Sequence, residues 1–528
     1  MKTLKHLPVF FSLMLMLAPA VWATTYSLGT TNLLEGPAAA SDSVVLAANS
    51  SWTATTNATW LHLSAANQSG TVSTNVIFTF DANTGVTRTG TLTIAGQTVT
   101  ITQAGSTYVA TTNTTTLVSS GLSGPSGVVV NGAGNVYIAD TGHNAIKKWT
   151  ATNNTVSTLV SSGLLSPEGL AVDGSGNVFI ADTGNGAIKK WAAANSNVTT
   201  LVSSVIPYGM TMDGAGNIYF INFVNVPFPN TTVAKWTAAN NNVTTLVSSG
   251  LLRALNVAVD IASNVYIADT GHGAIKEWTA ANSTVTTLIS SGLPSLYGVA
   301  MDGSGNVYIA DKTNNVIEMR SAANNSVATL VSSNSITPLY YPYDVAVDGS
   351  GNVFITDSGN NAIKELPHAF VDTTPKLEGL AAGTDNLPVV LPATANLHSP
   401  FAPTSDQSWL IITGTNNGVV SFAFTTNSGP ARTAHINLLG QSIAITQGLI
   451  GTAPNLTGIQ NLGNGVIQFS FTNNPSATFT VWTSTNLSLP FTNWTQLGTP
   501  TNNGSGQYGF TDPTATNGVQ RFYRVSSP

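Results

Sequence analysis

Residues 135–149 read NVYIADTGHNAIKKW and residues 177–191 read NVFIADTGNGAIKKW. No other feature limits the fold as sharply, because self-similarity at a fixed period marks a repeat architecture. The opening Asn returns at Asn135, Asn177, Asn217, Asn264, Asn306 and Asn352, which by subtraction gives spacings of 42, 40, 47, 42 and 46 residues. Every copy follows one plan. A short apolar run (GVVV, GLAV, GMTM, NVAV, GVAM, DVAV) leads into a turn, usually DGSGN or DGAGN. Then come NVYIAD, a second turn such as TGNN, AIKKW, a polar turn and TTLVSS. Runs rich in Val, Ile, Tyr and Thr between Gly, Asn and Asp clusters are strands.

Four strands per unit of about forty residues predict the blade of a propeller rather than a helical solenoid. The segment TTTLVSS at 114–120 precedes the first NVYIAD, whereas the sixth copy stops at Leu366 without such a strand. The leading strand is therefore expected to complete the last blade, joining the ends of a six-bladed ring with no open edge.

At 528 residues the chain exceeds one compact core and calls for several domains. Hydrophobic residues make up 42 % and charged residues only 8 %, against roughly a quarter charged in ordinary globular domains. Seventeen Lys and Arg face 23 Asp and Glu, so the basic stripe expected of a nucleic-acid binder is missing. Zero cysteines exclude disulfides, thiolate metal sites and cysteine nucleophiles. The first residues, MKTLKHLPVFFSLMLMLAPAVWA, have a basic start, a short apolar middle and small residues before Ala23. They read as a signal peptide cleaved after Ala23, and hence a secreted or cell-surface protein without a membrane span.

At PEGLAVDGSGNVFIADTGNGAIKKW the chain resembles the NHL repeat family, and the resemblance covers roughly residues 107–374. It implies a six-bladed β-propeller, and NHL-type propellers serve as binding platforms, receptors and a few lyases. Residues 24–106, with SSWTATTNATWLHLS and RTGTLTIAGQTVTITQAG, resemble the BACON domain, an immunoglobulin-like β-sandwich of secreted bacterial proteins that is linked to carbohydrate. Residues 375–449 resemble a second, degenerate copy through SDQSWLIIT, VVSFAFTTNSGPART and INLLGQSIAITQG. Residues 450–528, with FTVWTSTNLSLPFTNWTQLG and RFYRVSSP, resemble a C-terminal β-sandwich module of secreted proteins from Verrucomicrobia-type bacteria. The expected organisation is a signal peptide (1–23), a sandwich (24–106), the propeller (107–374), a second sandwich (375–449) and a third (450–528), all β.

Features shared by the copies report folding. Asp173, Asp213, Asp302 and Asp348 open turns in which Asp bonds its own backbone, and no downstream acid completes a calcium loop. Asp140, Asp182, Asp269, Asp311 and Asp357 are read as turn residues too. Trp149, Trp191, Trp236 and Trp278 recur at one position and are expected between blades. Function should lie where the copies disagree. The residues just before the inner-strand runs are Ser126, Glu168, Tyr208, Leu255, Tyr297 and Tyr343. Three blades thus aim a Tyr at the channel mouth, with Tyr341 upstream and Glu168, Arg253 and Asp344 as nearby charges. The third copy carries NFVNVPFPNTT at 222–232 in place of the usual turn, bringing Phe223 and Phe228 to the same face. Aromatic rings with a few polar groups suit a sugar or peptide, although such rings also plug a pore.

No catalytic or metal constellation is found, and no cofactor is implied. His143 and His272 occupy the same turn in the first and fourth copies, on opposite sides of a ring, and cannot share a zinc ion. Glu168 and Asp344, on the second and sixth copies, read as too far apart to act as a pair. The expectation is a monomeric, non-enzymatic, secreted protein that binds an extracellular glycan or protein ligand. The alternatives are a lyase or hydrolase working in the channel, and a purely structural surface or matrix protein.

Overall fold

The computed structural model describes residues 24–224, 230–290, 292–332, 338–448, 456–463, 465–473, 478–502, 507–515 and 520–526. The signal-peptide reading falls on residues 1–23, outside the described residues. Among the described residues the regular structure is β-strand apart from a few short 3-10 turns, and no helix is long and apolar enough to cross a membrane.

Each repeat folds as one four-stranded antiparallel sheet in chain order. The first comprises Pro125–Val130, Val136–Asp140, Ala145–Thr150 and Thr155–Val160, and four more follow the same plan up to Val327–Val331. The sixth contains Pro342–Val347, Val353–Asp357 and Ala362–Leu366, and takes its outer strand from far upstream. Thr115–Val118 pairs with it in the register Thr115 to Glu365 and Thr116 to Lys364. The expected strand exchange between the two ends of the segment is thus present.

Both faces of every sheet are apolar, so each must be covered by a neighbour. Each consecutive pair shares one buried cluster, and so do the last and the first, where Trp149 packs with Leu117, Val128, Phe354 and Ile363. Trp191, Trp236 and Trp278 fill the next three junctions. In the fifth and sixth copies Arg320 and Leu366 stand at that position.

The inner strands meet through glycine. A Cβ at Gly169 would lie 2.5 Å from the Tyr208 carbonyl oxygen, and at Gly127 2.1 Å from that of Glu168. Gly209 and Gly298 are equally crowded, by Asn256 and Asp344, the two side chains that replace glycine at this level. Asn256 Nδ2 donates to Asp344 Oδ1 at 2.7 Å, and Asp344 Oδ2 accepts the Val128 amide at 3.1 Å. Four glycines therefore make room for one hydrogen-bonded pair that spans the centre.

The flanks are two-sheet units. Residues 24–104 place a four-stranded sheet containing Ala40–Ala48 and Thr74–Phe80 against a five-stranded one containing Arg88–Ile94 and Gln97–Gln103. Their core includes Val44, Trp52, Phe78, Leu92 and Ile101. Residues 376–447 repeat this scheme down to its buried polar residues. Gln103 and Gln447 are fully buried, each donating to backbone carbonyls and accepting from Arg88 and Arg432 at 2.8 and 2.9 Å. Those arginines lie over Trp60 and Trp409 at 4.4 and 4.3 Å. The C-terminal residues form two further small sheets, around Val466–Thr472 and Thr480–Ser484.

The N-terminal unit contacts the turn Asp302–Asn306 of the fifth sheet. Val45 donates its amide to the Gly303 carbonyl at 3.1 Å, Ser43 Oγ to that of Ser304 at 2.5 Å, and Ser304 Oγ to Asp42 Oδ2 at 3.2 Å. Glu35, Asp42 and Asp302 come together there. Burial, with Asp302 beside it, pushes Asp42 up to about 6, and burial next to Asp42 raises Glu35 as well. The folded state therefore disfavours ionisation, and stability is lost as pH rises from the ordinary carboxylate range, about 4, through about 6.

Two outcomes are expected. Asp42→Asn should flatten the decline of the N-terminal unit's urea midpoint between pH 4 and pH 7, and an unchanged slope would contradict the shared burial. Gly169→Ala should cost about 1–3 kcal/mol in chemical denaturation, since backbone rather than a flexible side chain must move.

Candidate functional site

The turn between the second and third strands and the loop leading into the inner strand lie on one face, and a buried Asp ties them together. Asp140 Oδ1 accepts the Ser123 amide at 2.7 Å, and Asp182, Asp269 and Asp357 do the same for Leu165, Leu252 and Tyr340. The other oxygen pairs with a lysine. Nζ of Lys147, Lys189, Lys276 and Lys364 lies 2.7, 2.6, 2.6 and 2.8 Å from Asp140, Asp182, Asp269 and Asp357, whose side chains are fully buried. These aspartates are thus members of buried ion pairs, more than the turn residues the sequence suggested. The Asp of each DGSGN-type turn does bond its own backbone, as Asp173 Oδ1 does with the amides of Ser175 and Asn177. His143 and His272 lie 2.9 and 2.7 Å from Asp140 and Asp269 in their own sheets.

The next residue stitches sheets together. Thr141, Thr183 and Thr270 donate to the carbonyls of Pro167, Pro207 and Leu296 in the following sheet at 2.7, 2.6 and 2.8 Å, and Ser358 does so to Pro125. Two copies depart from this rule. The third has Phe223 there and the fifth has Lys312. Phe223 is buried and packs on Tyr208, with ring centroids 4.5 Å apart. Lys312 Nζ lies 4.4 Å from the Tyr297 ring centroid, 5.0 Å from that of Tyr343 and 5.8 Å from that of Tyr341. Lys312 was missed in the sequence; its signal was the change of DTG to DKT.

Ser126, Glu168, Tyr208, Leu255, Tyr297 and Tyr343 all line one depression, together with Asn256 and Asp344. Glu168 and Asp344, expected from the second and sixth copies to lie too far apart to act as a pair, both border it. Asp344 is not a rim charge. It is buried beneath the tyrosines, held by Val128, Val345 and Asn256. Tyr297 and Tyr343 pack at 4.8 Å, and the free space is about 20 Å³, room for one water. The rings close the mouth against each other, as the plugging alternative anticipates.

Burial pushes Glu168 up to about 7 against hydrogen bonds from Ser126 and Tyr343, and its Oε2 is buried without a partner. Burial likewise pushes Asp344 up to about 7. Tyr343 is raised by burial and by Glu168.

Outside the plug the rim is exposed. Tyr340 and Tyr341 are 48 % and 42 % exposed, with ring centroids 4.3 Å apart. Tyr341 and the exposed Arg253 occupy equivalent left-handed positions, at φ 54° and 49°. The Tyr341 amide is held by Asn315 Oδ1 of the preceding sheet at 2.7 Å, as Asn144 holds Ser166 and Asn361 holds Gly124. The 222–232 insertion lengthens a hairpin, pairing Phe223 with Thr231, and Phe228 lies outside the described residues. Among the described residues no three His, Asp or Glu side chains are grouped to hold a metal ion.

Glu168→Gln removes a carboxylate whose folded form resists ionisation between about 4 and about 7. The variant should match the parent at pH 4 and exceed it at pH 8 by about 1–3 kcal/mol in urea unfolding. Equal stability at both pH values would remove Glu168 from the buried set.

Two family models match parts of the chain. The family model BACON, described as "Putative binding domain, N-terminal", matches residues 50–104 and 401–448, and the NHL repeat model matches residues 122–149 and 164–191. No curated protein matches the sequence. A solved protein of unknown function from Bacteroides thetaiotaomicron is 14 % identical, covering 66 % of this chain and 98 % of its own, with a TM-score of 0.44. A gluconolactonase from Xanthomonas campestris is 14 % identical, covering 48 % and 89 %, with a TM-score of 0.41. A chain of a nidogen/laminin complex is 19 % identical, covering 42 % and 84 %, with a TM-score of 0.38.

Proposed function

For a chain that carries NHL repeats and BACON domains, we propose a secreted, monomeric binding protein: a six-bladed propeller between immunoglobulin-like sandwiches that recognises an extracellular glycan or protein. The domain limits proposed are those of the sequence analysis, with the propeller at 107–374. One observation carries the functional reading. One group of the departures from the shared plan, from the third, fifth and sixth copies, converges on a single mouth: Tyr208, Phe223, Tyr297, Lys312, Tyr341 and Tyr343.

With room for only one water inside, the ligand lies across the rim. Tyr340 and Tyr341 supply an exposed aromatic platform, and Lys312 supplies a cation at its edge. Exposed rings of this kind offer large contact area at little rotamer cost. Tyr297 and Tyr343 act as the floor that holds Lys312 in place, and Tyr208 extends that floor against Phe223.

A hydrolase or lyase is the second reading, favoured by one observation. Glu168 and Asp344, both pushed up to about 7, share the depression, and carboxyls so shifted cluster at catalytic sites. Turnover of any substrate that Glu168→Gln abolishes would establish it.

The binding reading is tested with immobilised glycan and protein panels. The double variant Tyr340→Ala, Tyr341→Ala should lose capture by at least about tenfold with its thermal midpoint nearly unchanged, because both rings face solvent. Tyr208→Ala, Tyr297→Ala and Tyr343→Ala should lower both capture and stability. Capture that survives the rim variant places the site elsewhere.

A further inference from the structure

Charge is scarce in this chain, and almost every cation in it is already engaged. Beyond residues 1–23, each Lys and Arg makes an ion pair, a hydrogen bond or a ring contact, with one exception. Among the described residues Arg253 alone makes none of these. It is exposed, and its backbone sits at φ 49°, in the left-handed region. The first and second copies fill the equivalent position with Gly124 and Ser166, at φ 51° and 47°. A small residue therefore suffices for the loop, and glycine takes that shape without steric cost. Neither folding nor any contact within the protein calls for an arginine here.

Arg253 belongs to one arc of the rim. It lies on the loop entering the fourth sheet, Lys312 on the turn of the fifth, and Tyr340 and Tyr341 on the loop entering the sixth. Burial and Glu168 raise the Tyr208 hydroxyl, and Arg253 opposes that rise. Burial raises Glu168, and Ser126, Tyr343 and Lys312 oppose it. Both cations thus act on the same mouth. The acids of this region do not answer them. Asp311 is fully buried and accepts the amides of Thr313 and Asn314 at 3.1 and 3.0 Å. It does so because Glu318 stands where four sibling sheets carry lysine, and Pro294 where they donate an amide. Burial beside Asp311 raises the Glu318 carboxyl, as burial raises Glu168 and Asp344. The arc therefore presents rings and cations and little negative charge.

The loop amides of the arc are already used. Asp269 and Asp357 accept those of Leu252 and Tyr340, and Asn315 accepts that of Tyr341. A bound peptide strand takes its hold from main-chain pairing, which these amides are not free to give, so side chains must do the recognising. Rings that face solvent offer a flat apolar surface to the C–H face of a pyranose, and a guanidinium fork fits a carboxylate or sulfate through two parallel hydrogen bonds. We propose that the rim formed by Arg253, Lys312, Tyr340 and Tyr341 binds an acidic polysaccharide, its sugar rings on the tyrosines and its anionic groups on the two cations. This rests on the binding reading above and adds the charge of the ligand, with Arg253 as the residue that selects it. Uronate carboxylates and sulfate esters share the required chemistry.

The test uses the full chain and immobilised polygalacturonate, its methyl ester, dextran sulfate and dextran. At least one acidic polymer should be held about tenfold or more tightly than its uncharged counterpart, and raising sodium chloride from about 0.05 M to about 0.5 M should weaken that capture. The two acidic arms tell a carboxylate ligand from a sulfate one. Arg253→Ala should lose at least about tenfold in capture with its thermal midpoint unchanged, because the side chain touches nothing in the protein. Lys312→Thr restores the residue of the sibling turns and should weaken capture as well. Acidic polymers held no more tightly than their uncharged counterparts, or held equally by Arg253→Ala, overturn the proposal. So does poly-glutamate that competes equally, since charge alone would then suffice. In those cases, capture of any ligand that the Tyr340→Ala, Tyr341→Ala variant loses leaves the binding reading standing. A parent chain that retains no member of the glycan and protein panels overturns both.

Discussion

A sheet that is apolar on both faces cannot stand alone in water, and the repeat region rests on that fact. Val136–Asp140 is buried along its whole length, as are its counterparts Val178–Asp182, Val265–Asp269, Val307–Asp311 and Val353–Asp357. Such strands need a partner sheet on either side, and a linear stack always leaves two end faces wet. Bringing the last sheet against the first removes both ends at once, and Thr115–Val118 fastens the junction with backbone hydrogen bonds. Everything on the rim inherits its position from that closure. The stitching residues Thr141, Thr183, Thr270 and Ser358 and the asparagines Asn144, Asn315 and Asn361 act only between neighbours, so they hold loops in register but could not set the number of sheets.

The sequence was legible where one residue type serves one backbone need many times over. The strand runs, the Asp-Gly turns and the recurring tryptophans each reported their structural role, because periodicity averages away local accidents. The position of the tyrosines was legible for the same reason: the residue one place before the repeated apolar run, second in its inner strand where that residue is tyrosine, lines the mouth in each copy. Their packing was not. Whether rings at one mouth leave a pocket or fill it depends on rotamers and on neighbours such as Phe223 and Lys312, which sit far away in sequence. Asp344 shows the limit most clearly. It reads as a rim charge beside Tyr343, yet a side chain on the next residue of a strand points the other way, into the centre at the level of the four glycines.

The buried Asp–Lys pairs carry a similar lesson. Aspartate after a strand reads as a turn former, and the lysine seven residues later reads as a solvated surface residue. Only the hairpin geometry brings them together, since Asp140 pairs with Ala145 and the strand then returns Lys147 alongside. Once the pair is recognised, the irregular copies gain meaning. Proline at 294 and glutamate at 318 look like unrelated substitutions in the sequence, but both remove a donor from the same carboxylate. A near-exact repeat thus acts as its own control.

The contact between the N-terminal unit and the fifth sheet has one more consequence. Its partner is the turn Asp302-Gly-Ser-Gly-Asn, and the same five residues begin again at Asp173 and, with Ser350, at Asp348. At Asp348 the Ser350 carbonyl already meets His368 Nδ1 at 3.1 Å, so the docking chemistry of Ser43, Val45 and Asp42 is repeated in sequence at two other turns but one of them is taken. The connection from Ala104 to Thr114 is short and is itself fastened, Tyr108–Ala110 pairing with Phe370–Asp372, which confines the unit to a small arc and raises its effective concentration there. Address, in this molecule, is written in the leash and not in the lock, so lengthening that connection would turn a fixed neighbour into one that samples a second berth.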